Sequence, residues 1–194
     1  YFELMNIEIA IKNACKELKK NKISSALLDS ELLLSKVIKK DRKFILLNLD
    51  KKLDECTQAS FKDLISKRSR GKPLAYMTGS KSFWKYNFKV NEKVLIPRPD
   101  TETMIEQVLK IYKNKNYLNF LEVGVGSGCI ALSILKEKKS FLGTGIDLSQ
   151  DCIEICRYNA KKLGVNTRIK LLKSDVDNLI FRKYDLIVSN PPYI

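Results

Sequence analysis

The stretch YLNFLEVGVGSGCIALSILKEK, residues 117–138, indicates the fold class of this chain. It begins as an apolar run typical of a buried strand, passes through Gly124, Gly126 and Gly128, and continues with the apolar spacing of a helix. A strand that leads through a glycine-rich turn into a helix is typical of α/β sheets. Such a turn lets a ligand lie against bare backbone, and we expect the first amides of the helix to face that ligand.

The pattern that follows alternates between short apolar runs and an amphipathic helix. Strands are expected at residues 141–147, 168–175 and 184–190, and a helix ended by Gly164 is expected at residues 150–164. Strands that alternate with helices form parallel sheets, because each crossover must return the chain to the same edge. The sequence therefore predicts an α/β fold, a Rossmann-like, doubly wound sheet of about four parallel strands.

Residues 1–72 have a different pattern, with apolar residues at helical spacing and no catalytic chemistry of their own. This pattern predicts a small all-α bundle. The expected helices span residues 6–20, about 25–39, 42–49 and, after a cap at Asp54, about 55–69.

Glycine and proline residues recur in the segment 73–97, which is also rich in aromatic and β-branched residues. We expect a linker here that contains a β-hairpin turning at Asn91 and Glu92. Asp100 or Thr101 is then expected to cap a helix. The expected divisions of the chain are a helical domain at 1–72, the linker at 73–97 and the α/β domain at 98–194.

Two acidic residues are expected at the same sheet edge as the glycine-rich loop. Asp147 ends a strand, where a carboxylate can accept hydrogen bonds from both hydroxyls of a ribose. Asp175 ends the next strand and could accept from an adenine amino group, with Val176 against the ring. The plainer interpretations are a structural turn for the glycine-rich loop, a helix cap for Asp147 and a turn aspartate for Asp175. Taken together, the loop and the two aspartates predict a pocket for an adenosine-bearing ligand. The G-x-G-x-G spacing favours S-adenosylmethionine.

The last predicted strand runs into Asn190, Pro191, Pro192 and Tyr193 at that edge. The prolines lack backbone N–H groups and fix φ, which leaves the Asn190 and Pro191 carbonyls exposed. The Asn190 side chain adds an acceptor, and Tyr193 offers a flat aromatic face. These groups would orient a planar NH₂ group toward a methyl donor, so that positioning supplies most of the rate. A proline-rich turn without a function is the alternative interpretation.

Composition narrows the classes of function. The chain has 194 residues, a net charge of +14, five cysteines and no histidine. Ser-His-Asp and Cys-His catalysis are therefore excluded, and the cysteine spacing predicts no metal site. The charge suits a nucleic-acid partner, but lysines spread along the whole chain favour an ordinary solvated surface. No apolar run is long enough for a membrane helix. Because the chain starts at Tyr1 and ends at Ile194 within a motif, we expect a fragment of a longer protein.

Four stretches stand out in combination: GKPLAYMTGSKSFW, VLIPRPDTE, EVGVGSGCIAL and VSNPPYI. Together they resemble the peptide chain release factor glutamine methyltransferases (the HemK/PrmC family). The resemblance implies methyl transfer from S-adenosylmethionine to the side-chain amide of the glutamine in the Gly-Gly-Gln motif of class-1 release factors. It implies a role in translation termination, with a release factor as partner and with substrate recognition by the helical domain at 1–72. Nucleic acid is the less favoured partner, and no membrane association is expected. We further expect a cytoplasmic monomer.

The resemblance also implies site residues. The residues expected at the cofactor are Gly124, Val125, Gly126, Ser127, Gly128, Asp147, Asp175, Val176 and Asn190. The residues expected at the substrate glutamine are Asn190, Pro191, Pro192, Tyr193 and Arg98, of which the stretch from Asn190 to Tyr193 is also the expected catalytic group.

Three residues depart from the family's usual pattern, namely Glu122, Val125 and Val176. These changes could weaken cofactor affinity without changing the reaction. The family's sheet has seven strands, of which strands five to seven are not in this sequence, so the fourth strand is expected to show an open apolar edge. Two alternatives remain: an adenine amino methyltransferase acting on DNA or RNA, which shares the Asn-Pro-Pro-Tyr motif, and an inactive truncated remnant that only binds cofactor or partner.

Overall fold

The structure, a computed structural model, describes residues 5–179 and 183–191. Pro192 and Tyr193 of the predicted site therefore lie outside the described residues. The chain divides into two compact units, Tyr1–Thr78 and Gly79–Ile194. None of the helices in the described ranges combines the length and the apolar character that crossing a lipid bilayer requires.

The described part of the first unit is helical, as the sequence predicts. Its helices are α1 (Ile7–Lys20), α2 (Ala26–Ile38), α3 (Arg42–Leu47), α4 (Glu55–Ser69) and α5 (Leu74–Thr78). Asn6 and Asp54 cap α1 and α4, because their side chains accept hydrogen bonds from backbone N–H groups three residues later. The short helix α5 lies in the segment that we expected to be a linker, where Pro73 precedes its first residue.

Apolar side chains of α1, α2 and α4 form the core of the first unit, with Leu18, Leu33 and Phe61 among the buried residues. A buried ion pair also joins two of these helices. Asp29 of α2 is 1% exposed, and one of its oxygens lies 2.7 Å from Nε of Arg68 in α4. A buried carboxylate without a partner would be strongly destabilising, so this pair favours one arrangement of α2 against α4.

The second unit begins with an antiparallel hairpin of β1 (Ser80–Phe83) and β2 (Tyr86–Lys89). Phe83 pairs with Tyr86, so the turn is formed by Trp84 and Lys85. Our prediction of a turn at Asn91 and Glu92 is wrong. Trp84 has a φ of +54°, a value that usually requires glycine, and the sequence therefore gives no turn signal at this position.

Carboxylates of the second unit hold the turn of the hairpin. Oε1 of Glu137 accepts hydrogen bonds from Nε1 of Trp84 at 2.9 Å and from the hydroxyl of Tyr86 at 3.0 Å. Nζ of Lys85 lies 3.1 Å from Oε2 of the same residue. Oε1 of Glu102 accepts from the backbone N–H of Trp84 at 2.7 Å. These contacts offset the strain of a tryptophan in the left-handed region.

A parallel four-stranded sheet forms the centre of the second unit, as predicted. Its strands are β3 (Asn119–Val123), β4 (Leu142–Asp147), β5 (Ile169–Lys173) and β6 (Leu186–Ser189), in the order β5-β4-β3-β6. The helices of this unit are α6 (Glu102–Ile111), α7 (Cys129–Glu137) and α8 (Gln150–Leu163). Parallel strands end at one edge of the sheet, so the loops that follow these strands are neighbours.

The strand β6 lies at one edge of the sheet, beside β3. Its side chains differ in exposure, because Val188 belongs to the core whereas Ile187 is 62% exposed. Among the described strands, β6 has a neighbour on one side only, as expected from the sequence. Such an edge exposes backbone groups that can pair with another strand.

Candidate active site

The glycine-rich loop connects β3 to α7, and all three predicted glycines have positive φ values. These are +75° for Gly124, +52° for Gly126 and +79° for Gly128. A side chain at Gly128 would lie 2.5 Å from Sγ of Cys156, so this glycine permits close packing of the loop on α8. A side chain at Gly124 would meet nothing within 4 Å, and one at Gly126 would meet only the carbonyl oxygen of Gly124 at 4.0 Å. Two of the glycines therefore present bare backbone to open space.

Many of the backbone N–H groups of this loop already have partners within the protein. Those of Gly124 and Val125 donate to the carbonyl of Ile146, each at 2.9 Å, and that of Gly128 donates to Val125 at 2.7 Å. These loop amides are therefore engaged within the protein, whereas the expectation that the first amides of α7 face a ligand stays a prediction. Val125 and Ser127 are buried, so these two predicted residues expose little surface to a ligand.

Asp147 at the end of β4 contacts the glycine-rich loop directly. Its Oδ2 accepts a hydrogen bond from the N–H of Gly126 at 2.9 Å, and its Oδ1 accepts from the N–H of Ser149 at 2.9 Å. The cap of α8 is Ser149, whose hydroxyl accepts from the N–H of Cys152 at 3.4 Å. The interpretation of Asp147 as a simple helix cap is therefore wrong. Each carboxylate oxygen can accept more than one hydrogen bond, which leaves capacity for a ligand.

Asp175 and Val176 lie beside Asp147. The N–H of Ser174 donates to the backbone carbonyl of Asp147 at 3.1 Å, which brings the ends of β4 and β5 together. Asp175 precedes a short 3₁₀ turn and accepts a long hydrogen bond of 3.4 Å from the N–H of Asp177. Val176 is 48% exposed, so its side chain is accessible at this edge.

Asn190 leaves the sheet next to the glycine-rich loop. Ser189 pairs with Val123, and its hydroxyl donates to the carbonyl of Val123 at 3.0 Å, so Asn190 and Gly124 follow neighbouring strand ends. Nδ2 of Asn190 donates to the hydroxyl of Thr101 at 2.9 Å.

Pro191 is exposed, which is consistent with an accessible carbonyl at this residue. Arg98 is also exposed, and its carbonyl accepts from the N–H of Thr101 at 3.1 Å. The structure thus brings Gly124, Asp147 and Asn190 to one edge of the sheet.

Two family models match this chain: the PrmC N-terminal domain over residues 10–79 and the methyltransferase small domain over residues 100–194. The release factor glutamine methyltransferase of Clostridium acetobutylicum is 37% identical over 193 residues, which cover 98% of this chain and 68% of that protein. The chain belongs to the release factor glutamine methyltransferase family. The resemblance inferred from the four motifs is therefore confirmed.

The curated relatives of this chain are longer than the chain. The release factor glutamine methyltransferase of Leptospira interrogans is 39% identical over 95% of the chain, which spans 66% of that protein. The bifunctional methyltransferase of Rickettsia conorii is 36% identical over 97% of the chain, which spans 41% of that protein. The chain therefore spans between about two fifths and two thirds of the length of these curated relatives.

Glu122 is a buried polar residue, and the sequence did not reveal what surrounds its side chain. Its side chain is 2% exposed, and its Oε2 accepts a hydrogen bond from the N–H of Ala131 at 2.8 Å, in the first turn of α7. Burial, together with the nearby charge of Asp147, raises the pKa of Glu122 to about 8. Glu122 is therefore mostly protonated at neutral pH and satisfies one amide at the start of the helix.

Asn159 on α8 is a second contact that sequence reasoning missed. The residue is 0% exposed, and its Nδ2 donates to the carbonyls of Ser127 at 2.9 Å and Lys89 at 3.0 Å. Its Oδ1 accepts from the N–H of Lys89 at 2.8 Å. The one side-chain amide thus joins the glycine-rich loop to strand β2. An asparagine in a polar helical stretch gives no signal of this role, because its partners are distant in sequence.

The cysteines near the loop are not suited to thiolate chemistry. Burial raises the pKa of Cys129 to about 12 and raises the pKa of Cys156 well above its ordinary value. Both thiols therefore stay protonated at neutral pH. Among residues 5–179 and 183–191, no group of histidine, cysteine or acidic side chains could hold a metal ion.

We expect the Glu122→Gln variant to lose a pH dependence of stability that the parent chain shows. The folded-state pKa of about 8 lies above the ordinary glutamate pKa of 4.5, so the folded state holds the proton more tightly. The free energy of unfolding therefore falls as pH rises between those values, by at most about 1.4 kcal/mol per pH unit. Because the chain has no histidine, few other groups titrate in this window. Urea unfolding followed by the fluorescence of Trp84 at pH 5 and pH 8 measures the difference, and parallel profiles for both proteins would contradict it.

We expect the Asn159→Ala variant to be less stable by about 3 kcal/mol, because it removes the partner of three backbone groups, the carbonyls of Ser127 and Lys89 and the N–H of Lys89. Chemical denaturation followed by Trp84 fluorescence measures this change. Gln150→Ala, which removes an exposed amide from the same helix, is the matched control and should change stability by less than about 0.5 kcal/mol. Equal effects of the two substitutions would show that Asn159 does not hold the loop.

Proposed function

We propose that this chain contains the part of a release factor glutamine methyltransferase that binds S-adenosylmethionine and the substrate amide, and that it methylates a glutamine side chain. The observation that carries the proposal is the position of Asn190 beside the glycine-rich loop. The strand pair Val123–Ser189 fixes this position, because it makes Gly124 and Asn190 the next residues of adjacent strands. A methyl donor on the loop and an amide on Asn190 would then be neighbours.

The residues at the sheet edge fit S-adenosylmethionine. The bare backbone at Gly124 and Gly126 leaves room for the amino-acid part of the molecule, and the nearby Gly124 carbonyl can accept a hydrogen bond from its ammonium group. Asp147 has acceptor capacity for the ribose hydroxyls, and the exposed Val176 offers an apolar surface for adenine. When bound, S-adenosylmethionine supplies an electrophilic methyl group to a nucleophile placed beside it.

The role proposed for Asn190 is to orient the substrate amide. Its Nδ2 donates to Thr101, which leaves Oδ1 as an acceptor for an N–H of the glutamine side chain. The carbonyl of Pro191 is the expected second acceptor. An amide nitrogen loses its proton only after it gains a methyl group, so no base needs to act first. This agrees with a site without histidine, in which Cys129 and Glu122 are mostly protonated.

The proposed protein substrate is a class-1 release factor with its Gly-Gly-Gln motif. Support comes from family membership and from the names of the relatives at 37–39% identity, which are release factor glutamine methyltransferases. The two glycines of that motif would let the backbone of the substrate approach a narrow site closely. The net charge of +14 favours an acidic partner surface, and we propose that one copy of this chain acts on one release factor.

We expect the Asn190→Ala variant to transfer methyl groups at least about a hundredfold more slowly, the scale seen when one oriented polar contact in a transition state is lost. Its affinity for S-adenosylmethionine should change little, because Asp147 and the glycine-rich loop remain. Transfer of labelled methyl groups to a release factor measures the rate, and mass spectrometry of the digested product locates the methyl group. Asn166→Ala, at an exposed asparagine of the same unit, is the control and should retain the parent rate.

Other results would contradict the proposal in distinguishable ways. Methylation of adenine in DNA or RNA, with none of the release factor, would support an adenine amino methyltransferase. Binding of the cofactor without turnover on any of these substrates would support a remnant that only binds. Normal turnover by the Asn190→Ala variant would remove the role that we propose for Asn190.

A further inference from the structure

The contact between Thr101 and Asn190 joins two of the four family motifs. Nδ2 of Asn190 donates to Oγ1 of Thr101 at 2.9 Å, although the residues are 89 positions apart. Thr101 is 8% exposed and ends the 3₁₀ turn Pro99–Thr101, which leads into α6. The hydroxyl of Thr101 therefore reaches the site from a segment that precedes the whole sheet in sequence.

Both partners of this contact are held in place by other bonds. The N–H of Thr101 donates to the carbonyl of Arg98 at 3.1 Å, and its neighbour Glu102 accepts from the N–H of Trp84 at 2.7 Å. On the other side, the hydroxyl of Ser189 donates to the carbonyl of Val123 at 3.0 Å. Threonine is also restricted in χ1, because its β-carbon is branched. The hydroxyl of Thr101 is therefore a fixed partner for the side chain of Asn190.

In the structure the NH₂ end of the Asn190 amide is the one that binds Thr101, and this sets which end faces outward. A side-chain amide has a donor end and an acceptor end, and rotation by half a turn about the last bond exchanges them. A glutamine side chain that presents its NH₂ group needs a hydrogen-bond acceptor. The NH₂ end of Asn190 is itself a donor and could not accept this hydrogen bond. When the NH₂ end of Asn190 binds Thr101, the acceptor Oδ1 is left for the substrate.

We propose that Thr101 is a positioning residue for methyl transfer, because it holds the Asn190 amide with Oδ1 available to the substrate glutamine. Thr101 acts through Asn190 and does not itself contact the substrate. The inference rests on the proposed function of Asn190 and adds to it a role for the threonine of the Pro-Asp-Thr-Glu motif. It also explains how a segment outside the sheet contributes to the site at the end of β6.

Two substitutions at this position separate the hydroxyl from the shape of the side chain. Thr101→Val keeps the branched shape and removes the hydroxyl, whereas Thr101→Ser keeps the hydroxyl. We expect kcat of the Thr101→Val variant to fall about tenfold, the scale for loss of one supporting hydrogen bond, with little change in its Kd for S-adenosylmethionine. Thr101→Ser should recover most of the rate. In the Asn190→Ala background, Thr101→Val should have no further effect, since the group it positions is absent.

A second measurement does not depend on turnover. In a ¹⁵N-asparagine-labelled chain, the side-chain NH₂ signals of Asn190 are identified by their loss in the Asn190→Ala variant. We expect one of the two protons in the parent chain to exchange slowly with solvent. This protection should persist in Thr101→Ser and disappear in Thr101→Val. If Thr101→Val does not fold, the exchange of the parent chain and of Thr101→Ser still tests the contact.

The outcomes separate this inference from the proposed function. Full turnover by Asn190→Ala would contradict the proposed function, and the positioning role of Thr101 would be overturned with it. Loss of turnover in Asn190→Ala together with full turnover in Thr101→Val would overturn the positioning role alone. Equally fast exchange of both Asn190 protons in the parent chain would show that the contact with Thr101 is not made, whatever the turnover.

Discussion

The hydrogen bond from the N–H of Gly126 to the carboxylate of Asp147 is the interaction on which the proposed site depends. It ties the glycine-rich loop after β3 to the end of β4, across a parallel strand pair that places both at one edge of the sheet. The register of β3 with β6 adds Asn190 to that edge. Because the loop cannot move away from Asp147 without breaking this bond, the surfaces proposed for the cofactor and for the amide keep a fixed separation.

Buried polar groups hold the same loop from other sides. Glu122 binds an amide at the start of α7, and Asn159 binds the carbonyl of Ser127 from α8. Burying polar side chains costs free energy unless their hydrogen bonds are made, so these groups favour one loop conformation more than they add stability. A loop fixed in advance does not have to be ordered when a ligand binds. This arrangement suits a reaction in which positioning, rather than acid or base chemistry, supplies the rate.

The sequence predicted the parts of the structure that depend on local pattern. Apolar periodicity and the three glycines were enough for the parallel sheet and for the placing of Asp147 and Asn190 at its edge. The hairpin turn was missed, because Trp84 occupies a backbone conformation that usually signals glycine. Thr101 and Asn159 were missed for another reason. Each acts through a partner far away in sequence, and neither threonine nor asparagine is unusual where it stands.

Calorimetric titration of S-adenosylmethionine into this chain and into its Asp147→Ala variant is the sharpest test of the proposed cofactor surface. We expect the parent chain to bind one molecule and the variant to bind it more weakly by about 1.5–3 kcal/mol, the range for a hydrogen bond to a charged group. Equal affinity of the two proteins, or no binding by a folded parent chain, would contradict the assignment of this sheet edge to the cofactor.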